Sequence, residues 1–218
     1  MDVATAGVTI DWTHIIAGAV GALIVWLLGW LRRLGAKLLA RFWPVAEYRC
    51  DEDRGLPGRL KHSWGQSVDD SCAEKDRAWE HTAKHVGGPE GNATIYGPYT
   101  NDFAKPGYYK VVFGVYGSGF DGSEEPVVLL QVTQTLVTYD SGRQETVNWF
   151  QMPIGQRIVK AKELKPEYKK FDVLCYASGP NTYEYRAFVY PMFHDSKKHT
   201  VRFDTIRVCR FVPGMELL

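Results

Sequence analysis

His81 and His85, in the segment HTAKH, are the residues whose spacing comes closest to a metal site. Because they are four residues apart, they would place two imidazoles on one face of a helix, as a zinc site requires. The glutamate of the HExxH motif is missing. Glu80 and Cys72 are neighbours only along the chain, so no third ligand is identified. The sequence therefore favours two solvated histidines over a bound metal.

A second set of potential ligands is formed by Asp121, Glu124 and Glu125 in the segment FDGSEEP. Carboxylate oxygens are the ligands that calcium prefers. This segment lacks EF-hand spacing, however, and is more typical of a solvent-exposed turn. The glycine-rich GSGFDG lies between two predicted strands instead of opening a helix, which disfavours a phosphate site. The sequence also has no G-x-S-x-G motif and no P-loop. We therefore predict a non-catalytic protein that binds no cofactor.

Aromatic residues are the remaining candidates for a binding surface. Flat rings on the exposed face of a sheet can stack on sugar rings or anchor a protein interface. Other rings pack in the core or form cross-strand pairs, and the sequence does not separate these roles. The residues predicted for an aromatic binding surface are Tyr96, Tyr99, Tyr116, Trp149 and Tyr183.

The elements that must position these rings follow from the spacing of apolar residues after Gly91. The segment YYKVVFGVY places Tyr109, Val111, Phe113 and Val115 on one side, and PVVLLQVTQTLVTYD and KKFDVLCYAS show the same period of two. Segments rich in Gly, Pro and Asp separate the strands. We predict a mainly β fold in which about eight strands form an antiparallel β-sandwich or jelly roll.

The start and the end of this β region are similar to a known family. The segment ATIYGPYTNDFAKPGYYKVVFGV opens the region, and HTVRFDTIRVCRFV closes it. In their turn chemistry and rhythm, over residues 92–213, they resemble jelly-roll domains of the carbohydrate-binding-module type. The resemblance implies a jelly-roll fold and a glycan as partner.

An apolar segment near the N-terminus predicts a transmembrane helix. Residues 15–31 are seventeen consecutive apolar or glycine positions, which correspond to about 25 Å of helix against a hydrocarbon core of about 30 Å. Asp2 and Asp11 precede the segment without any Lys or Arg, and no cleavage site follows it. We therefore expect a retained anchor rather than a signal peptide.

The sequence thus divides into four regions. We predict a short N-terminal tail, an anchor with a juxtamembrane helix, a connector with a short helix over Cys72–Val86, and a β-sandwich domain. Their ranges are 1–12, 13–43, 44–91 and 92–218, respectively.

Two groups of residues would hold the anchor in place. Small residues three or four positions apart let another helix approach closely in lipid, whereas Trp and basic residues suit the membrane interfaces. The predicted packing face consists of Ala17, Gly18, Gly21 and Ala22. The predicted interfacial anchors are Trp12, Trp30, Arg32, Arg33 and Trp43.

Charge indicates the location and the partners of the chain. Basic residues flank the C-terminal end of the apolar segment and acidic residues flank the other end. This asymmetry predicts a single-pass protein of the inner or plasma membrane, with the tail outside and the sandwich in the cytoplasm. The four cysteines can stay reduced there. A balance of 26 basic and 25 acidic residues disfavours a nucleic-acid partner.

These features leave three functions open. The first is a non-enzymatic accessory subunit of a larger membrane complex, whose partners are membrane lipid and other integral membrane subunits. In layout the chain is similar to the H subunit of purple-bacterial photosynthetic reaction centres, which implies a photosynthetic or respiratory assembly. The alternative is a membrane-tethered carbohydrate-binding module. The third is a ligand-sensing membrane effector.

Overall fold

The computed structural model describes most of the chain from residue 21 to residue 211. Two compact units are present, Met1–Phe42 with Met215–Leu218, and Trp43–Gly214. At residues 137–140 and 145–149 the structure describes the backbone alone. The described ranges are 21–32, 35, 44–51, 59–63, 65–81, 93–103, 105–140, 145–179, 181–190 and 199–211.

The first unit contains a helix over residues 21–32, and every residue of this helix is exposed. Within the described ranges, no helix combines the length and the apolar character needed to cross a membrane. Of the predicted packing and interfacial residues, Gly21, Ala22, Trp30 and Arg32 lie on this helix. The others lie outside the described residues, namely Trp12, Ala17, Gly18, Arg33 and Trp43.

The second unit consists of antiparallel strands. Eleven strands and one short 3-10 helix, Ala161–Glu163, occur in the part of the chain that the structure describes. The strands are β1 (Ala46–Arg49), β2 (Lys61–His62), β3 (Gln66–Asp69), β4 (Arg77–Glu80), β5 (Ile95–Thr100), β6 (Gly107–Ser118), β7 (Pro126–Asp140), β8 (Glu145–Lys160), β9 (Lys169–Ala177), β10 (Thr182–Val189) and β11 (Thr200–Arg210).

The strands form two sheets, which confirms the prediction of an antiparallel β-sandwich. In the first sheet the order is β3-β4-β11-β6-β9, and in the second it is β2-β5-β10-β7-β8. Strand β11 pairs with β6 along one edge, and its other edge is divided between β4 and β1. The change of partner coincides with a register shift between Phe203 and Ile206.

The structure differs from the sequence prediction at residues 44–91. A connector was expected there, but the chain forms four short strands. Strands β1, β3 and β4 belong to the first sheet, and β2 belongs to the second. The prediction of a helix over Cys72–Val86 is wrong for residues 72–81, which the structure describes, because Arg77–Glu80 is a strand that pairs with β11. Strands of two to four residues carry too few positions to show a period of two. Strands β1, β2 and β4 are stabilised by pairing with longer strands, and β3 pairs with β4.

The core forms where the inner sides of the two sheets meet. Tyr109, Val111, Phe113 and Val115 are buried, which confirms the alternation predicted for β6. Strand β6 thus turns these four side chains toward the core and the intervening ones outward.

A hydrogen-bonded cluster joins the sheets at one end of the sandwich. Tyr48 of the first sheet and Tyr185 of the second both donate to Asp102 Oδ2, at 2.5 and 2.8 Å. Thr100 donates to the other carboxylate oxygen at 2.7 Å. Burial raises the pKa of both tyrosines, and their bonds to Asp102 raise it further. The cluster fixes the C-terminal end of β5.

Candidate functional site

A row of polar and aromatic side chains crosses the outer side of the second sheet. The register aligns one residue from each of the five strands. In spatial order these are Lys61, Tyr96, Arg186, Gln131 and Gln156. None of these five is fully buried. An outer side with a tyrosine and several polar groups is therefore available for contact with a ligand.

Glu184 occupies the centre of the next row. Its neighbours Tyr183 and Tyr185 are buried in the core, so the side chain of Glu184 points to the outer side of β10. It is nevertheless completely buried. Strand β7 opposes it with the small residue Thr133, which is also buried. The small residue leaves room above β7 for side chains from the neighbouring strand β8.

Gln151 of β8 fills that room and binds both charged residues of β10. Its Nε2 donates to Glu184 Oε2 at 2.5 Å, and Arg186 Nε donates to the same oxygen at 2.8 Å. The Gln151 carbonyl oxygen accepts a further bond from Arg186 Nη2. The three side chains therefore form a closed set in which each restricts the rotamers of the other two.

The buried carboxylate of Glu184 has an elevated pKa. Desolvation by burial is the main cause, and the Arg186 charge is the largest opposing effect. The bonds from Arg186 and Gln151 and the nearby backbone N–H of Gly97 also oppose the rise. Within the described residues, Oε1 of this carboxylate has no hydrogen-bond partner. Leaving such a buried acceptor unpaired costs about 1–3 kcal/mol.

Tyr99 reaches this face because β5 contains a β-bulge. Tyr185 pairs with Gly97 but Tyr183 pairs with Thr100, so β5 has one residue more than β10 in this interval. Gly97 adopts a φ of 86°, in the left-handed region that glycine tolerates. A strict alternation from Tyr96 would turn Tyr99 inward, and the bulge returns it to the outer side.

The ring of Tyr99 lies at the border of the polar set. It is 50% exposed, and Lys61 Nζ lies 5.4 Å from its centroid. Burial of part of the ring and the charge of Glu184 raise the pKa of its hydroxyl, while a hydrogen bond with Gln151 lowers it. We call this surface the Glu184 face and define it by Lys61, Tyr96, Tyr99, Gln151, Glu184 and Arg186.

The predicted aromatic residues do not lie together. Tyr96 and Tyr99 belong to the Glu184 face, but Tyr116 lies on the first sheet beneath the guanidinium of Arg202, 5.3 Å from its centroid. The prediction for Tyr183 is wrong, because this residue is buried and donates to Gly179 O at 2.6 Å. The side chain of Trp149 lies outside the described residues.

Sequence reasoning missed the polar members of the Glu184 face. In the segment YEYR, two charged residues alternate with two tyrosines over Tyr183–Arg186. Opposite charges at every second position of a strand share one side of the sheet, and this signal was available. Nothing comparable marks Gln151, because its role depends on pairing between β7 and β8.

The residues considered as metal ligands have other partners. His81 is buried, with Nδ1 3.1 Å from Thr94 Oγ1, so the prediction of a solvated side chain is wrong for it. His85 lies outside the described residues. Glu124 accepts bonds from Lys160 at 2.8 Å and from Lys162, which lower the pKa of its carboxyl to about 2.

The other two carboxylates and the cysteines give no metal site. Asp121 accepts the backbone N–H of Ser123 at 2.9 Å, within the turn that also contains Glu125. No three His, Cys, Asp or Glu side chains are grouped to hold a metal ion in the described ranges. All four cysteines are free.

Comparisons with solved structures return β-sandwich modules. The chain is similar to the carbohydrate-binding module CBM6cm-2 of Cellvibrio mixtus lichenase 5A, solved with cellotriose, at 9% identity and a TM-score of 0.43 over 78% of this chain and 100% of that one. For the CBM22-1 xylan-binding domain of Paenibacillus barcinonensis Xyn10C, the identity is 9% and the TM-score 0.44, with 77% and 94% coverage.

A third similar structure is the family 35 carbohydrate-binding module from Clostridium thermocellum. It has 10% identity and a TM-score of 0.43, covering 75% of this chain and 98% of that one. No family model and no curated protein matches the sequence. At identities of 9–10%, the similarity concerns the sandwich fold and not the ligand.

Proposed function

We propose that the chain is a non-catalytic, membrane-tethered protein that binds glycans on the Glu184 face. The observation that carries the proposal is the position of Tyr99. A half-exposed aromatic ring lies beside polar side chains that hold one another in place on the outer side of a sheet.

The chemistry of sugars fits this arrangement. A pyranose ring has an apolar C–H face, which packs on an aromatic ring, and peripheral hydroxyls, which require fixed donors and acceptors. Tyr99 offers the ring, Arg186 and Lys61 offer N–H donors, and Gln151 offers an amide group. The buried carboxylate of Glu184 becomes an acceptor for the ligand when Gln151 moves aside. Because Arg186 and Glu184 hold each other in place before binding, these two side chains have little rotamer entropy left to lose when the ligand arrives.

The proposal predicts that Tyr99→Ala weakens glycan binding, because the mutation removes the stacking surface. We expect a loss of about tenfold or more, the usual size for truncating an aromatic anchor. The measurement is native affinity electrophoresis of the purified chain through gels that contain hydroxyethylcellulose, xylan or laminarin.

Tyr108→Ala is the matched control for this experiment. Tyr108 is 49% exposed but lies on the first sheet, where its ring packs edge-on against Tyr176 at 5.1 Å. Its removal should leave the retardation unchanged. The proposal fails if the wild-type chain is not retarded by any of the polysaccharides, or if the two variants lose retardation equally.

We also propose that residues 21–32 attach the protein to a membrane. The supporting observation is that Leu23, Val25 and Trp26, on different sides of one helix, are all exposed. A helix that is apolar all round needs apolar surroundings on every side, and acyl chains provide them. The expected orientation places the sandwich in the cytoplasm. We also expect contact with other integral membrane subunits.

A further inference from the structure

The unpaired oxygen of Glu184 indicates which glycans the Glu184 face accepts. Oε2 of this carboxylate already receives Gln151 Nε2 and Arg186 Nε, whereas Oε1 has no partner within the described part of the chain. The side chain is completely buried, so water does not solvate Oε1. A bound molecule that donates a hydrogen bond to Oε1 would remove the cost of the unpaired acceptor.

The positive charge beside Glu184 is already compensated. The guanidinium of Arg186 bonds to Glu184 through Nε and to the Gln151 carbonyl oxygen through Nη2. Its charge lies 2.7 Å from the Glu184 carboxylate, measured from Nη2 to Oε2. An anionic group placed at Oε1 would therefore meet a negative charge without a cation reserved for it.

Lys61, the other cation of the Glu184 face, does not change the balance between the charges of Glu184 and Arg186. Lys61 lies on the edge strand β2, and its ammonium group is over the ring of Tyr99. The partners of Glu184 on the packed strands are neutral apart from Arg186, because β5 contributes the backbone N–H of Gly97, β7 contributes Thr133 and β8 contributes Gln151. The local charge at the carboxylate is thus one acid matched by one base.

We propose that Glu184 is a specificity-determining residue, whose Oε1 accepts a sugar hydroxyl and thereby selects neutral glycans over carboxylated ones. This inference rests on the proposed function, because it assigns a ligand class to the same face. Because Glu184 is completely buried, a neighbouring side chain must move to admit the hydroxyl, and we assign this movement to Gln151, which contacts the carboxylate at Oε2. Arg186 keeps Oε2 bound during that shift and holds the carboxylate in place.

The test compares two derivatives of whichever polysaccharide retards the wild-type chain. The hydroxyethylated polymer keeps a hydroxyl at the end of each added group, whereas the carboxymethylated polymer carries an acid of similar size there. At equal degrees of substitution, we expect the wild-type chain to bind the carboxymethylated polymer about 10- to 100-fold more weakly, as measured by isothermal titration calorimetry.

Glu184→Gln tests the residue itself. An amide at this position offers N–H donors to the ligand and removes the negative charge, so the preference should fall to within about threefold of equality. Glu124→Gln, in the turn before β7, is the matched control and should keep the wild-type preference. Equal binding of both polymers by the wild-type chain overturns the inference and needs no variant, and an unchanged preference in Glu184→Gln overturns it too. Absence of binding to every polysaccharide instead contradicts the proposed function.

Discussion

At the scale of single residues, burial decides which groups are chemically available. The four cysteines illustrate this, because Cys72 is exposed whereas Cys50 and Cys175 are buried. Burial raises the pKa of the Cys175 thiol to about 12 and places that of Cys50 well above its ordinary value. The half-buried Cys209 also has a raised pKa, with desolvation as the largest cause.

We therefore predict that iodoacetamide at pH 7.5 modifies Cys72 first and Cys209 more slowly. Cys50 and Cys175 should react only after unfolding, because the thiolate is the reacting species and neither thiol forms it readily in the folded chain. Mass spectrometry of peptides from folded and urea-treated samples measures the order. Modification of Cys175 in the folded chain as fast as Cys72 would contradict the burial described for β9.

The same scale shows what the sequence could reveal about the candidate site. Tyr96 and Tyr99 were predicted as surface aromatics because rings of this kind serve binding faces. The identity of their polar neighbours was not predicted, since Gln151 and Glu184 are 33 positions apart in the chain and meet only through strand pairing. Tyr183 was assigned to the surface because composition does not distinguish a ring in the core from one outside.

At the scale of elements, long strands were predictable and short or irregular ones were not. Strand β6 has twelve residues and alternates over Tyr109–Phe113, so its buried side followed directly from the sequence. Strands β1 to β4 were not recognised, because β1, β2 and β4 pair with longer strands and β3 pairs with β4, so their conformation depends on partners distant in the sequence. The bulge in β5 reverses the alternation between Tyr96 and Tyr99, and its only local signal is the Gly-Pro pair at Gly97.

Strand β8 must pass very close to β9, and glycine makes this approach feasible. A Cβ atom at Gly155 would lie 2.5 Å from Leu174 O and 2.9 Å from Cys175 Cβ. We predict that Gly155→Ala destabilises the sandwich by about 1–3 kcal/mol, because backbone atoms have to move to accept the methyl group. The measurement is the urea midpoint of tryptophan fluorescence.

Gly114→Ala is the matched control, since its Cβ would meet its nearest neighbour, Asp204 Cβ, at an ordinary 3.4 Å. We expect a clearly smaller shift for this variant in β6. Equal midpoints for the two variants would show that β8 and β9 are not held at the distance described. Because β8 also carries Gln151, Gly155→Ala is further expected to weaken polysaccharide retardation.

At the scale of the whole molecule, the protein combines two units with different surface requirements. The sandwich, Trp43–Gly214, encloses its apolar residues between two sheets. The helix over residues 21–32 leaves its leucines and tryptophans exposed, which in water would cost the free energy of hydrating that apolar surface. A chain of this kind satisfies both requirements when the helix lies in lipid and the sandwich lies in water.

We therefore predict that the full chain stays in the membrane fraction after an alkaline carbonate wash, and that Leu23→Arg combined with Ile24→Arg, in the middle of the apolar segment 15–31, releases it. Each arginine costs about 2.5–3.5 kcal/mol at the centre of a bilayer, and the two substitutions act on adjacent sides of the helix. Leu174→Arg is the matched control, because Leu174 on the sandwich is 49% exposed and Ile24 is 51% exposed. The control variant should remain in the pellet. Recovery of the wild-type chain in the supernatant, or equal retention of all three proteins, would contradict the proposal that residues 21–32 attach the protein to the membrane.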